Sequence, residues 1–242
     1  MNKLVGEDLT KGYGGAGVLK GATLEIGERD VAVVMGPSGS GKTTLLNLLG
    51  LLDTPDGGRI LLDGREVTRL PEREAVRVRN RHFGFIFQMF HLVQELNVLE
   101  NVYLPLWIRE GGNIGRDELR ERGRVLLREF GIAHKEDACP LTLSGGERQK
   151  VAICRSLICR PGVLLADEPT GSIDRDSARV FYDTVRYLNG EKGITFLIAS
   201  HNEKFLQLAT KAVYLTEGIL KPVALPARPE TECRNRSTRS RG

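Results

Sequence analysis

Gly36-Pro37-Ser38-Gly39-Ser40-Gly41-Lys42-Thr43 decides the fold, read together with the run Asp30-Val31-Ala32-Val33-Val34-Met35 before it and the apolar segment Leu45–Leu52 after it. A short, nearly continuous apolar run ending at a glycine predicts a buried strand of a parallel or mixed sheet. An apolar segment opening after a Gly-rich turn predicts a helix. Strand, loop and helix together are the setting that the pattern G-x-x-x-x-G-K-[ST] requires. Glycines there let successive backbone N–H groups curl around phosphate oxygens, and the helix N-terminus adds a favourable dipole. Lys42 can reach the β- and γ-phosphates, and the Thr43 hydroxyl can ligate Mg²⁺.

Working outward, the same logic finds more of a sheet. Leu4–Leu9 and Val18–Ile26 have strand character, as do Arg59–Asp63, after the turn Pro55-Asp56-Gly57-Gly58, and Phe83–Phe87. The middle changes period. Val98–Arg109 and Arg116–Phe130 read as helices, the second with Leu119, Leu126, Leu127 and Phe130 on one face. A third helix is expected from Gly145 to about Cys159. Strands return at Val163–Ala166 and Ile194–Ala199 with a helix between them. The expectation is an α/β core interrupted by a helical insert at about 91–160, the domain ending at 222 and residues 223–242 forming a disordered basic tail.

Val163-Leu164-Leu165-Ala166-Asp167-Glu168 is an apolar strand that ends in two carboxylates. A parallel strand delivers its C-terminal end to the ligand crevice. Asp167 is the candidate to hold magnesium, and Glu168 the candidate to polarise a water for in-line attack on the γ-phosphate.

Composition narrows the classes. The 242 residues are 40% hydrophobic and 27% charged, enough for a packed core. The net charge of +4 is misleading, because the segment from Arg228 onward carries +3 of it and residues 1–227 only +1. A nearly neutral body with 6% aromatics does not suit nucleic-acid binding, and none is expected. No apolar run approaches the roughly 18 residues a membrane helix needs, and the start lacks a secretory core. Cys139, Cys154, Cys159 and Cys233 form no Cys-x-x-Cys pair and read as free thiols in a reducing compartment.

Two further segments make the pattern specific: Leu143-Ser144-Gly145-Gly146-Glu147-Arg148-Gln149 ahead of a helix, and His201 after a strand. With the phosphate loop, Gln88, the Asp-Glu strand and Ser172-Ile173-Asp174, six motifs stand in the order found in ATP-binding subunits of ABC transporters. The chain resembles that family over nearly its whole length. The resemblance implies a RecA-like P-loop NTPase core with a mixed sheet, an antiparallel β portion near the N-terminus and the inserted α-helical subdomain. It implies ATP and Mg²⁺ as ligands. The loop from Gly36 through Thr43 and Thr44 would hold the phosphates, and Tyr13 would stack on adenine. Gln88 would approach the metal and the attacking water, and His201 the γ-phosphate. Ser144, Gly145 and Gly146 would face the nucleotide of a second copy in an ATP-sandwich dimer, with Asp174 shaping its interface. An integral membrane permease would be the other partner, placing the chain on the inner face of the cell membrane.

Within the family, Gly84–Gln88, Asn97–Leu106 and Ala166–Gly171 are most similar to the ATPases of lipoprotein-release, macrolide-export and cell-division complexes. The resemblance therefore favours an exporter or lipoprotein-releasing system. The alternative is a division-type complex that signals across the membrane and transports nothing. Lys150, Cys154, Ser156, Ser172-Ile173 and Asn202 depart from the usual residues, and none of them is assigned to chemistry.

Overall fold

Strands buried on both faces must be apolar at every position, and three of the sheet strands are fully buried or nearly so. The structure is a computed structural model describing residues 2–226. Its strands are β1 (Asn2–Tyr13), β2 (Ala16–Gly27), β3 (Val31–Met35), β4 (Gly57–Leu62), β5 (Arg65–Glu66), β6 (Phe83–Phe87), β7 (Val163–Asp167), β8 (Thr195–Ala199), β9 (Lys211–Thr216) and β10 (Ile219–Pro222). Its helices are α1 (Lys42–Leu49), α2 (Glu72–His82), α3 (Val98–Glu110), α4 (Arg116–Glu129), α5 (Gly145–Leu157) and α6 (Arg175–Gly190).

The strands form two sheets. One is antiparallel, in the order β2-β1-β4-β5; the other runs β10-β9-β3-β8-β7-β6. In the second, β9, β3, β8, β7 and β6 are parallel and only β10 is antiparallel. The phosphate-loop strand is thus central, and β7, which ends in Asp167, lies one strand away across β8.

Alternation along these strands divides the core. Ala32, Val34, Leu165 and Leu197 face a cluster filled by α1 and the antiparallel sheet. Val31, Val33, Leu164, Phe196 and Ile198 face a second cluster, closed by Ile153 and Leu157 of α5 and Phe181, Val185 and Leu188 of α6. A third cluster unites α3, α4 and α5: Val98, Leu99, Val102, Leu119 and Leu127 pack on Val151 and Cys154. Both α3 and α5 open on a capping box, Asn97 with Glu100 and Ser144 with Glu147, which satisfies otherwise unpaired N–H groups.

The chain enters the helical part through Phe90 and His91, both in the left-handed region (φ 59° and 49°). Arg155, mostly buried, holds that turn by donating to both of their carbonyls at 2.5 Å. Burial lowers its pKa to about 10, which leaves it charged at neutral pH.

The structure differs from expectation in several places, the short strands β5, β9 and β10 among them. Helix α2 was not anticipated, because only Ala75 of its eleven residues is buried and no apolar stripe marks it. Helix α1 begins at Lys42 and not at Leu45, since its N-cap is Gly41 of the loop itself. Val223 is not free tail: its N–H donates to the Ala212 carbonyl (3.0 Å) and its side chain packs on the second cluster. Residues 224–226 are exposed and outside any helix or strand, and the rest of the expected tail, 227–242, lies outside the described residues.

Candidate functional site

The phosphate loop leaves β3 at a point with no room for a side chain. A Cβ on Gly36 would lie 2.5 Å from the Leu215 carbonyl oxygen and 2.8 Å from Ser40 Oγ. Gly41 adopts φ 101°, and a Cβ there would also meet Val18 of the β1–β2 hairpin at 2.9 Å. The hairpin therefore packs on the loop from the antiparallel sheet. Lys42 is only 6% exposed. Its Nζ donates to the carbonyls of Gly36 (2.9 Å) and Pro37 (3.0 Å) and lies 3.4 Å from Glu168 Oε1. Ser40 Oγ is buried without a partner, a polar atom aimed into the loop.

Parallel register then brings the carboxylates across. Asp167 pairs with Ala199 of β8 and with Phe87 of β6, so the three strand ends are level. Thr43 Oγ1 donates to Asp167 Oδ2 at 2.8 Å, joining residues 124 apart in sequence. Asp167 Oδ1 is buried with no partner. Burial, with the neighbouring Glu168 charge, raises the Asp167 pKa above the ordinary 3.8, against the Thr43 hydrogen bond. An orphaned carboxylate oxygen beside a hydroxyl is a donor set that fits a hard divalent cation, with phosphate and water supplying the other ligands. Among the described residues no cluster of three or more His, Cys, Asp or Glu offers an all-protein metal site.

Glu168 sits at φ 42°, a strained backbone for a non-glycine residue. Its N–H is anchored to the Ala199 carbonyl (2.8 Å) and its carbonyl accepts from Gly171 (3.0 Å). The carboxylate accepts from Ser200 Oγ (3.0 Å) and from the His201 N–H (3.1 Å), and His201 Nδ1 lies 3.0 Å from Oε2. Burial pushes this carboxyl up, but the hydrogen bonds from His201 and Ser200 and the charges of His201 and Lys42 outweigh it, so it titrates below 4.5. Glu168 is therefore an ionised carboxylate at neutral pH, its neighbour Asp167 the less acidic of the two relative to its ordinary value. His201 itself is largely exposed, at 65%.

Tyr13, expected to stack on adenine, is exposed on its hairpin. It lies at the tip of the β1–β2 hairpin, half exposed, and its hydroxyl donates to Asp53 Oδ2 at 2.6 Å. Lys11 donates to Asp53 Oδ1 (2.8 Å) and stands over the Tyr13 ring at 5.2 Å from its centroid. Burial pushes Asp53 up, yet the Lys11 and Tyr13 hydrogen bonds prevail and it titrates below 3.8; the same bond raises the Tyr13 phenol above 10.0. Thr44 follows Thr43 in the first turn of α1. Gln88 follows β6, exposed, with its amide laid against Gly171: a Cβ there would meet Nε2 at 2.9 Å.

Ser144, Gly145 and Gly146 open α5, and their contacts are with Glu147, Ser172, Ile173 and Ser177, not with these groups. Ser144 Oγ accepts from the Glu147 N–H at 3.2 Å, so the hydroxyl caps its own helix. Gly146 has a packing reason within this chain, since a Cβ would run into Ser177 Oγ. Ser177 is held by Asp174, which caps α6 and accepts from the Ser177 N–H (2.9 Å) and hydroxyl (2.7 Å). Thus Lys42, Thr43, Asp167, Glu168 and His201 converge, Tyr13 and Gln88 flank them, and the residues 144–146 and 174 form a separate surface.

Sequence reasoning gave no role to three residues that organise the site. Ser200 is fully buried beside Glu168. Asp53 tethers Tyr13 from 40 positions away. Gln149, 3% exposed, donates from α5 to the Pro169 carbonyl at 2.6 Å, tying that helix to the loop that begins at Glu168. A polar residue on an otherwise apolar helix face was the available signal for Gln149; no local pattern marks Asp53.

A groove of about 360 Å³ opens beside β6, lined by Val76 and Asn80 of α2, Phe85 and Phe87 of β6, and Leu104 and Ile108 of α3. Its rim exposes Ile108 at 56%, and Trp107 next to it at 50%. No helix among the described residues is long and apolar enough to cross a membrane.

Comparison with known proteins gives this geometry a family. The ABC transporter model matches residues 19–171. The chain is 40% identical over 219 residues to the lipoprotein-releasing system ATP-binding protein LolD of Bacteroides thetaiotaomicron, covering 89% of this chain and 97% of the relative. It is 40% identical over 205 residues to the macrolide export ATP-binding/permease protein MacB of Syntrophobacter fumaroxidans, covering 85% of this chain but only 28% of that longer protein. Among solved structures, the dimeric bacterial ABC transporter cassette MJ0796 superposes with a TM-score of 0.84 at 34% identity, covering 90% of this chain and 96% of the other. The same cassette is similar in a dimeric post-hydrolysis state bound to ADP and Pi (TM-score 0.84, 33% identity). The glycine-lined loop, the Asp-Glu strand end and the matched family model agree: this chain belongs to the ABC transporter family, as an ATP-binding cassette.

Proposed function

We propose that the chain hydrolyses ATP to drive a separate membrane permease, most plainly in an export or lipoprotein-releasing system. The observation that carries this is the convergence of Lys42, Thr43, Asp167 and Glu168 at the ends of adjacent parallel strands. Lys42 turns from the Gly36 and Pro37 carbonyls toward the terminal phosphates, while the loop N–H groups at 38–43 receive their oxygens. Thr43 and Asp167, with Gln88 from the next strand end, would hold Mg²⁺, whose charge would offset that of the phosphate oxygens. Glu168 takes a proton from the attacking water, its carboxylate kept ionised and aimed by Ser200 and His201. His201, exposed and hinged on its own backbone bond to Glu168, contacts the γ-phosphate. Tyr13, with Lys11 over one face, offers its other face to adenine.

Ser144, Gly145 and Gly146 stand apart from their own phosphate loop, which supports the reading that they complete the site of a second copy, as the dimeric relatives suggest. Each ATP is then enclosed by the loop of one protomer and the α5 N-terminus of the other, with Asp174 at the contact. The apolar groove beside β6 receives a short cytoplasmic segment of the permease. The MacB relative, whose name joins an ATP-binding part to a permease in one longer chain, supports that pairing. The cassette would then lie on the inner face of the membrane.

The test is Ser144→Arg. The variant should bind ATP as a single subunit with affinity close to the parent, and fail to dimerise with ATP when measured by light scattering. Normal ATP-dependent dimerisation would refute the sandwich; loss of ATP binding in the monomer would refute the placement of Ser144 outside its own nucleotide site.

A further inference from the structure

Helix α2 gives one flank to the groove and another to solvent. Arg73, Arg77 and Arg81 stand at i, i+4 and i+8, all exposed, within an arc of roughly 80° and over about 12 Å of helix. The nearby carboxylates are engaged elsewhere. Glu72 lies 3.5 Å from Arg79, and Glu74 lies 2.6 Å from Arg65 on β5. Among the described residues, no carboxylate pairs with the three arginines. In a body whose net charge is close to +1, this is a local excess on one face. Only Arg81, in the last turn, suits the helix dipole; as a set, cations four apart repel and do not stabilise the helix.

The position of the ladder explains it. Val76, Arg79 and Asn80, on the adjoining side of α2, line the groove. Trp107 and Ile108 stand exposed on the opposite rim. A protein segment that descends from a bilayer into this groove turns both rims toward the lipid surface. We propose that Arg73, Arg77 and Arg81 bind anionic lipid headgroups, pressing the cassette to the membrane beside its permease. This rests on the reading of the groove as the permease site. The arginine fork suits phosphate geometry, and Trp107 suits the headgroup boundary. Anionic phospholipid is favoured over an acidic protein surface because the ladder is straight and exposed, and its three arginines are not among the residues that line the groove.

The experiment is co-sedimentation of the full chain with phosphatidylcholine vesicles, with and without phosphatidylglycerol. The parent should bind the anionic vesicles, bind pure phosphatidylcholine poorly, and release as salt rises. The R73Q/R77Q/R81Q variant should lose affinity by on the order of 10²-fold, keeping its ATP turnover and melting temperature. Replacing instead the five arginines from Arg228 onward by Gln should leave most of the binding in place. Undiminished binding of the ladder variant overturns the proposal, as does loss of binding in the variant of the C-terminal arginines alone. A ladder variant that still binds vesicles but no longer co-purifies with the permease also overturns it, and assigns the ladder to an acidic protein surface. Ile108→Ala separates the two readings: it should weaken permease co-purification and leave vesicle binding unchanged. If it changes neither, the groove assignment fails while the lipid assignment stands.

Discussion

Replacing Glu168 by Gln keeps the shape of the side chain and removes its charge. The carboxylate accepts from three directions: Ser200 Oγ, the His201 N–H and His201 Nδ1. A Gln amide can accept through one oxygen only, so its NH₂ faces at least one donor. Ser200 can reverse its hydroxyl and the exposed His201 ring can turn, so about 1–2 kcal/mol of stability should be lost, a few degrees in Tm. The electrostatic change is larger. At 3.4 Å the attraction between Lys42 and Glu168 is about 5 kcal/mol for an effective dielectric near 20. ATP must compete with that pair for Lys42 and must bring phosphate charge up to Glu168. Even with four-fifths of it offset by desolvation, about 1 kcal/mol remains, roughly a five-fold tighter Kd. Turnover should fall by on the order of 10²–10⁴, since the proton acceptor is gone. Fluorescence titration gives Kd, phosphate release gives turnover, and light scattering should show an ATP-stabilised dimer. Turnover unchanged within a factor of two would remove Glu168 from its role. A Kd weakened ten-fold would show that the Lys42–Glu168 contact is not a competitor for nucleotide.

Gly84→Ala should cost about 1–3 kcal/mol, because a Cβ on β6 would collide with the Ser156 carbonyl of α5 and with Leu164. That is about 3–10 °C in Tm by calorimetry, and a shift under 1 °C would show the close approach of β6 and α5 to be unimportant. Asp53→Asn should return the Tyr13 titration from above 10.0 toward that value, read by absorbance as the difference from the Tyr13→Phe protein; no movement would mean that Asp53 does not hold the ring. The sign of the acid limb is set by the depressed carboxyl. The Asp53 tether is complete above 3.8 and is lost only as pH falls through the lower folded-state value, so Tyr13 remains positioned at neutral pH.

The catalytic half of the site was legible because each part is local: a glycine loop after β3, two carboxylates ending β7, a histidine after β8. Apolar runs fixed which strands are central, and parallel order then made their ends level. What lay outside such patterns was missed for physical reasons. Helix α2 is held by Ala75 with help from Val78, and its arginines give no apolar stripe to read. Strands β9 and β10 alternate too briefly, with Lys211 and Lys221 among them, to stand out from loop. Asp53 acts on Tyr13 through the register of a hairpin against α1, a relation that no single segment carries. Asn202, where a carboxylate is usual, donates its amide to the Tyr182 hydroxyl at 2.9 Å, a link between the segment after β8 and α6 that the sequence alone did not suggest. Ser156, another departure, caps nothing chemical and bonds the Ile153 carbonyl within α5 (2.7 Å).

The Gln149–Pro169 hydrogen bond reaches further than its 2.6 Å. It fastens the helix that would greet a neighbour's triphosphate to the strand end that would cut this protomer's own. Within a protomer, residues 168–169 and the N-terminal half of α5 are therefore not free to move independently.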